Sequence, residues 1–119
     1  MSRATPLEVA EKLLQSPLII GVEFVGTKLR ARLSGALYLD IYYNASMGKY
    51  SYFIVKFGTR IIGWDNAPHH AEVSTYPHHF YDENDRIRPS GMKGSPLEDL
   101  PEVLTYLAKY LQKTGETTS

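Results

Sequence analysis

A chain of 119 residues with 43% hydrophobic content is long enough to bury one core, which predicts a single domain. Thirteen basic residues balance thirteen acidic ones, so a strong non-specific grip on a polyanion is not indicated, and the absence of cysteine excludes disulfides, zinc–thiolate sites and thiol nucleophiles. No apolar run approaches the ~20 residues of a membrane span, and the amino terminus lacks a secretory apolar segment, so we expect a cytoplasmic protein without membrane contact.

The first predicted element is a short helix. Thr5 suits the N-cap, Pro6 suits the first helical position, and Glu8 completes a capping-box pattern. An apolar stripe at helical spacing follows, made of Leu7, Ala10, Leu13 and Leu14. Pro17 is expected to stop the helix.

Residues 18–66 predict an antiparallel sheet, because apolar and polar residues alternate between short turn signals. The predicted strands are residues 20–25, 29–33, 37–42, 50–57 and 60–64. Short connections favour a meander. Residues 66–77 hold two prolines and are predicted to form a structured loop, after which residues 78–81 return as an edge strand.

The carboxyl-terminal part predicts a polar turn at residues 82–85, a basic loop at 86–94 and a helix. Ser95 is its predicted N-cap, with Glu98 at the capping-box position. Its apolar stripe is Leu100, Val103, Leu104, Leu107, Ala108 and Leu111. The chain therefore predicts a single α+β domain over residues 1–113, with an N-terminal helix, a meander of about five to six strands and a C-terminal helix packed on one sheet face. A disordered polar tail is expected at 114–119.

All four histidines lie in one segment, residues 64–79, as two adjacent pairs that each follow a proline. Histidine changes charge near neutral pH, and functional residues concentrate on loops held by rigid scaffolds. The same segment contains Asp65 and Glu72. We therefore interpret residues 64–79 as the candidate functional site of the protein.

General acid–base chemistry on RNA is the favoured interpretation of this segment. Because neighbouring residues on an extended chain point to opposite sides, one member of each pair is expected to converge on a site. His70 and His78 are the preferred pair, with Asp65 orienting one of them. The candidate catalytic residues are His69, His70, His78, His79 and Asp65, and the candidate substrate-binding residues are Trp64, Asn66, Tyr76, Arg86, Arg88 and Lys93.

Two other interpretations stay open. A metal-dependent hydrolase would draw its ligands from His70, His78, Asp65 and Glu72, although their spacing matches no familiar motif and no cofactor is otherwise expected. Alternatively, the histidines hydrogen-bond the loop backbone and fix its shape, and the protein is a non-catalytic binding module for a partner protein or a nucleic acid. Under either interpretation, Trp64 suits a core anchor where strand meets loop.

The histidine segment resembles the signature of the TumE-like family, which consists of small toxins of toxin–antitoxin pairs. The resemblance rests on WDNAPHH at residues 64–70 and STYPHH at residues 74–79. This chain continues the second block with Phe80 and Tyr81, where many relatives have a basic residue and a further histidine. Gly63 stands where relatives often carry arginine.

This resemblance implies a cytoplasmic prokaryotic toxin with a cognate antitoxin as its partner. It does not imply a particular reaction, so RNA as a target is a separate hypothesis. Homodimerisation is compatible with the sequence.

Overall fold

A computed structural model describes residues 5–115 of the chain. Its elements in order are α1 (Pro6–Leu14), β1 (Gly21–Val25), β2 (Lys28–Arg32), β3 (Leu37–Asn44), β4 (Lys49–Lys56), β5 (Thr59–Asp65), β6 (His79–Tyr81), β7 (Ile87–Pro89) and α2 (Pro96–Thr114). None of the helices in this part of the chain is long and apolar enough to cross a membrane.

The seven strands form one antiparallel sheet in the order β1 to β7, which confirms the α+β meander. One strand was not predicted: β7 lies within the segment interpreted as a basic loop. Its residue Arg88 pairs with Phe80 of β6. The strand predicted at residues 78–81 is confirmed as β6, but its predicted position at the edge of the sheet is wrong, because β7 covers its outer side.

Both helices pack on the same face of the sheet, where alternate strand residues supply the core. In β4, Tyr52 and Ile54 point toward the helices and are fully buried. The core also includes Leu13, Ala31, Leu39, Ile62, Trp64, Phe80, Leu100, Val103, Leu107 and Leu111. Residues between these positions, such as Phe53, lie on the opposite side, which we call the helix-free face.

The two helices begin differently. In α1 the predicted capping box is present, since Glu8 N–H donates to the Thr5 hydroxyl and the Glu8 carboxylate accepts from Thr5 N–H. In α2 the predicted capping box is wrong. Ser95 is the N-cap residue, but its side chain makes no capping hydrogen bond to the described residues. Buried Asp99 instead accepts hydrogen bonds from the chain just before the helix.

The helix α2 ends at Thr114, and its C-cap Gly115 has the left-handed backbone (φ 77°) that glycine adopts readily. Of the tail predicted at 114–119, residues 116–119 lie outside the described part of the chain, as do residues 1–4.

Candidate functional site

His79 occupies the first position of β6, and the sheet register sets its neighbours. It lies directly opposite Asp65 at the end of β5, and Tyr81 follows two residues later on the same side. Because Trp64 and Phe80 face the helices, His79, Asp65 and Tyr81 all lie on the helix-free face. Strand pairing thus assembles an imidazole, a carboxylate and a phenol.

The His79 ring is 1% exposed, and both of its nitrogens have partners. Nδ1 lies 2.9 Å from the Pro77 carbonyl oxygen, which can only accept, so Nδ1 carries a proton. Nε2 lies 2.6 Å from Asp65 Oδ1 and 2.7 Å from the Tyr81 hydroxyl. A neutral ring accepts from Tyr81, and an imidazolium donates to Asp65. Nε2 of this buried ring therefore faces a carboxylate and a phenol together.

His70 meets this group from the loop between β5 and β6. Its ring packs edge-on against the His79 ring, with 5.3 Å between centroids, and lies 6.1 Å from the Tyr81 ring. A positive φ of 58°, uncommon for a residue with a side chain, places it there. Its Nδ1 lies 3.5 Å from Glu72 Oε2, and the side chain keeps 31% of its surface exposed. His70 is thus the solvent-accessible member of the pair.

The other two histidines occupy different surroundings. His69 is exposed and its ring lies 6.4 Å from that of His70. His78 shares a 2.8 Å hydrogen bond through Nδ1 with the Tyr50 hydroxyl and stacks on that ring, beside the core. The expected pairing of His70 with His78 is therefore corrected to His70 with His79, because residues 78 and 79 point to opposite sides where β6 begins.

A cavity of about 270 Å³ opens beside this cluster. Its lining includes Arg60, Asp65 and Tyr81, together with Phe53. Burial, and next the Asp65 charge, raise the pKa of Tyr81, while the Arg60 guanidinium acts in the opposite direction. Tyr81 is therefore a protonated phenol near neutral pH, and it connects the buried His79 to the cavity.

Two of the predicted binding residues, Trp64 and Asn66, have structural contacts, whereas a third, Tyr76, is exposed. Trp64 is a core residue stacked on Phe80, with 4.9 Å between ring centroids and 3% of its surface exposed, so it offers no platform for a ligand. Asn66 ties β5 to the β3–β4 hairpin, accepting from Tyr50 N–H and donating to the Gly48 carbonyl. Tyr76 is 45% exposed and precedes a cis proline.

The predicted basic residues do not converge on His79. Arg88 pairs with Phe80 in the sheet and so lies on the helix side, 3.4 Å from buried Asp82. Arg86 and Lys93 are exposed. Although burial opposes it, hydrogen bonds from the backbone of Arg86 and Asn84 lower the pKa of Asp82. The Arg88 side chain therefore contacts the carboxylate that organises the β6–β7 turn.

The predicted metal ligands are not brought together. His70 lies near Glu72 and Asp65 belongs to the His79 cluster, whereas His78 contacts Tyr50. Within residues 5–115, no group of three or more histidine or carboxylate side chains is arranged to hold a metal ion.

Two residues of the site, Tyr81 in the cluster and Arg60 in the cavity lining, were not singled out from the sequence. Tyr81 carries a usable signal, because strand alternation places it on the same face as His79. No sequence signal indicates Arg60, because the face on which its side chain lies depends on an irregularity in the pairing of β4 with β5.

The fold and this cluster define a small α+β protein with a histidine–carboxylate–tyrosine group on the open face of an antiparallel sheet. The chain matches the family model described as Toxin TumE over residues 9–111, so it belongs to the TumE toxin family. It is thus a toxin of a toxin–antitoxin system, with an antitoxin as its partner. No curated protein and no solved structure matches it.

Proposed function

We propose that this toxin arrests growth by cleaving RNA in the cytoplasm, through metal-independent acid–base chemistry at His70 and His79. One observation carries the proposal: two imidazoles from separate chain segments meet edge to face at 5.3 Å, beside a carboxylate and a phenol that line a cavity. Paired groups able to take and give a proton near pH 7 are what this reaction needs.

The reaction is an internal transfer at phosphorus. The 2′-oxygen of one ribose attacks the adjacent phosphorus as its proton leaves, and the bond from phosphorus to the 5′-oxygen of the next nucleotide breaks. The 5′-oxygen then takes up a proton. The products are a 2′,3′-cyclic phosphate and a 5′-hydroxyl, and no oxidant, metal or water is consumed.

His70 suits the base role, because it is the accessible ring of the pair. With the Glu72 carboxylate facing Nδ1, a proton is favoured on that nitrogen, which leaves Nε2 free to accept the 2′-hydroxyl proton. His79 suits the acid role through Tyr81. The Tyr81 hydroxyl gives its proton to the leaving oxygen and regains one from His79 Nε2, whose charged form Asp65 stabilises.

The test is a comparison of His70→Gln with His78→Asn. Purified proteins are incubated with single-stranded RNA in excess chelator, and each is also expressed in cells without antitoxin. His70→Gln should lower the cleavage rate about 10²–10⁴-fold and abolish growth arrest, because positioned proton transfer contributes about that much. His78→Asn should stay within a few-fold of wild type, because an amide can occupy the Nδ1 position and bond Tyr50.

Cyclic phosphate ends on the products support the mechanism, and circular dichroism checks that each variant is folded. Full growth arrest by folded His70→Gln overturns the proposal and favours a non-catalytic binding module. Loss of wild-type cleavage in chelator also overturns it and favours a metal-dependent hydrolase.

A further inference from the structure

The helix-free face carries a row of side chains that runs across four strands from one arginine to another. The register pairs Arg32 of β2 with Tyr38 of β3, Tyr38 with Val55 of β4, and Val55 with Arg60 of β5. We call Arg32, Tyr38, Val55 and Arg60 the arginine row. It lies two positions along β4 from Phe53, which corresponds to roughly 7 Å.

Arg60 reaches this face because of a β-bulge. Ile54 pairs with Ile62 but Val55 pairs with Arg60, so Ile61 is an extra residue on β5. Strict alternation would point Arg60 toward the core side with Ile62. The bulge reverses this and lays the guanidinium 4.3 Å above the centre of the Phe53 ring.

From that position Arg60 joins the candidate active site. It lines the same cavity as Asp65 and Tyr81, and the Phe53 ring beneath it contacts the Tyr81 ring, with centroids 5.8 Å apart. Stacking on an aromatic face holds a guanidinium in place and leaves its N–H groups free to bind phosphate.

The charges on the row are not neutralised. Arg30, which lies two residues before Arg32 on β2, forms an ion pair of 2.9 Å with Asp40. By contrast, Arg32 and Arg60 are exposed and have no carboxylate partner within residues 5–115. In a chain with zero formal net charge, Arg60 at the cavity and Arg32 at the other end of the row each offer a phosphate a guanidinium that the ion pairs described above do not use.

We propose that the helix-free face binds the phosphodiester backbone of single-stranded RNA, with Arg60 on the phosphate nearest His70 and Arg32 on one farther along the strand. The identity of the polymer rests on the proposed function. A single strand is specified because attack by a 2′-hydroxyl requires alignment with the leaving oxygen, which a regular duplex backbone prevents. Single strands also lie readily along a groove of positive charge.

The experiment measures binding apart from cleavage. Fluorescence anisotropy follows a labelled 12-nucleotide single-stranded RNA of mixed sequence, titrated with full-length His70→Gln protein that also carries Arg60→Gln, Arg32→Gln or Arg60→Lys. Lys109→Gln, an exposed charge on α2, is the matched control. Each arginine-to-glutamine change should weaken binding about tenfold, because charge-assisted hydrogen bonds are lost. Each should also reduce the salt slope by about 0.7. Arg60→Lys should keep the slope, and Lys109→Gln should change neither quantity.

Unchanged RNA affinity in the folded Arg60→Gln and Arg32→Gln variants overturns the inference. This holds even if His70→Gln abolishes cleavage as the proposed function expects. An equally tight complex with a duplex of the same sequence also overturns it. If wild type binds the single strand through these arginines but does not cleave it, the proposed reaction fails and this binding surface is supported.

Discussion

Gly63 is the point on β5 where a side chain would collide with the ring of Phe53. A Cβ built there would lie 2.1 Å from Phe53 Cδ1, far inside van der Waals contact. The ring therefore lies flat over the glycine, where it contacts Tyr81 and supports Arg60. Gly63 thus has a packing role at this position.

Gly63→Ala should destabilise the protein by about 1–3 kcal/mol, the usual cost of overpacking a filled site, because the Phe53 ring must move. Urea unfolding measures the change. Gly91→Ala is the matched control, since its nearest neighbour would be 4.0 Å away, and its stability should stay within about 0.5 kcal/mol of wild type. Equal stability of the two variants would contradict this packing argument.

At the scale of elements, one buried carboxylate of α2 bonds both to the sheet and to the segment before the helix. Asp99 accepts the Tyr52 hydroxyl, Lys93 N–H and Gly94 N–H, each at 2.8 Å. Burial, and next the Asp99 charge, raise the pKa of Tyr52 well above its usual range, so this hydroxyl stays a donor. The contacts hold the segment before α2 against β4, which the sequence-predicted Glu98 capping box would not have done.

Asp99→Asn should cost about 1–3 kcal/mol of unfolding free energy, because one buried carboxylate oxygen becomes an amide that cannot accept. Amide hydrogen exchange should speed up at Lys93 and Gly94 while β4 keeps its protection. Exposed Glu98→Ala is the control and should leave both measurements nearly unchanged. A loss as large in Glu98→Ala would restore the capping-box interpretation.

At the scale of the whole molecule, the two faces of the sheet carry different kinds of residue. The helix side holds the core, and the helix-free face holds the histidine cluster and the arginine row. The chain's single tryptophan, Trp64, lies in the core between Phe80 and the edge of Tyr106, with ring centroids 4.9 and 5.6 Å away. Its fluorescence therefore reports on the packing of β5, β6 and α2 together.

Urea unfolding followed by Trp64 fluorescence and by far-ultraviolet circular dichroism should give the same midpoint, because one core joins both helices to the sheet. Arg60→Gln should leave that midpoint within the equivalent of about 0.5 kcal/mol, as expected for an exposed residue. Two separated transitions would show that the sheet and the helices unfold independently.

Local patterns were sufficient for most of the architecture. Capping residues and apolar periodicity predicted both helices, and alternation between short turns predicted β1 to β5 as a meander, because each of these signals acts within a few residues. The same alternation predicted that one histidine of each pair would converge. The family followed from the two histidine blocks.

Pairing between distant strands determined the features that the local patterns did not predict. The strand β7 forms because β6 offers it an edge, and its three residues carry too little pattern to be recognised alone. His79 joins His70, in place of His78, because the register sets it opposite Asp65. Arg60 reaches the helix-free face through one extra residue in β5. In each case the outcome depends on which partner strand lies alongside, a relation between distant segments that local periodicity does not encode.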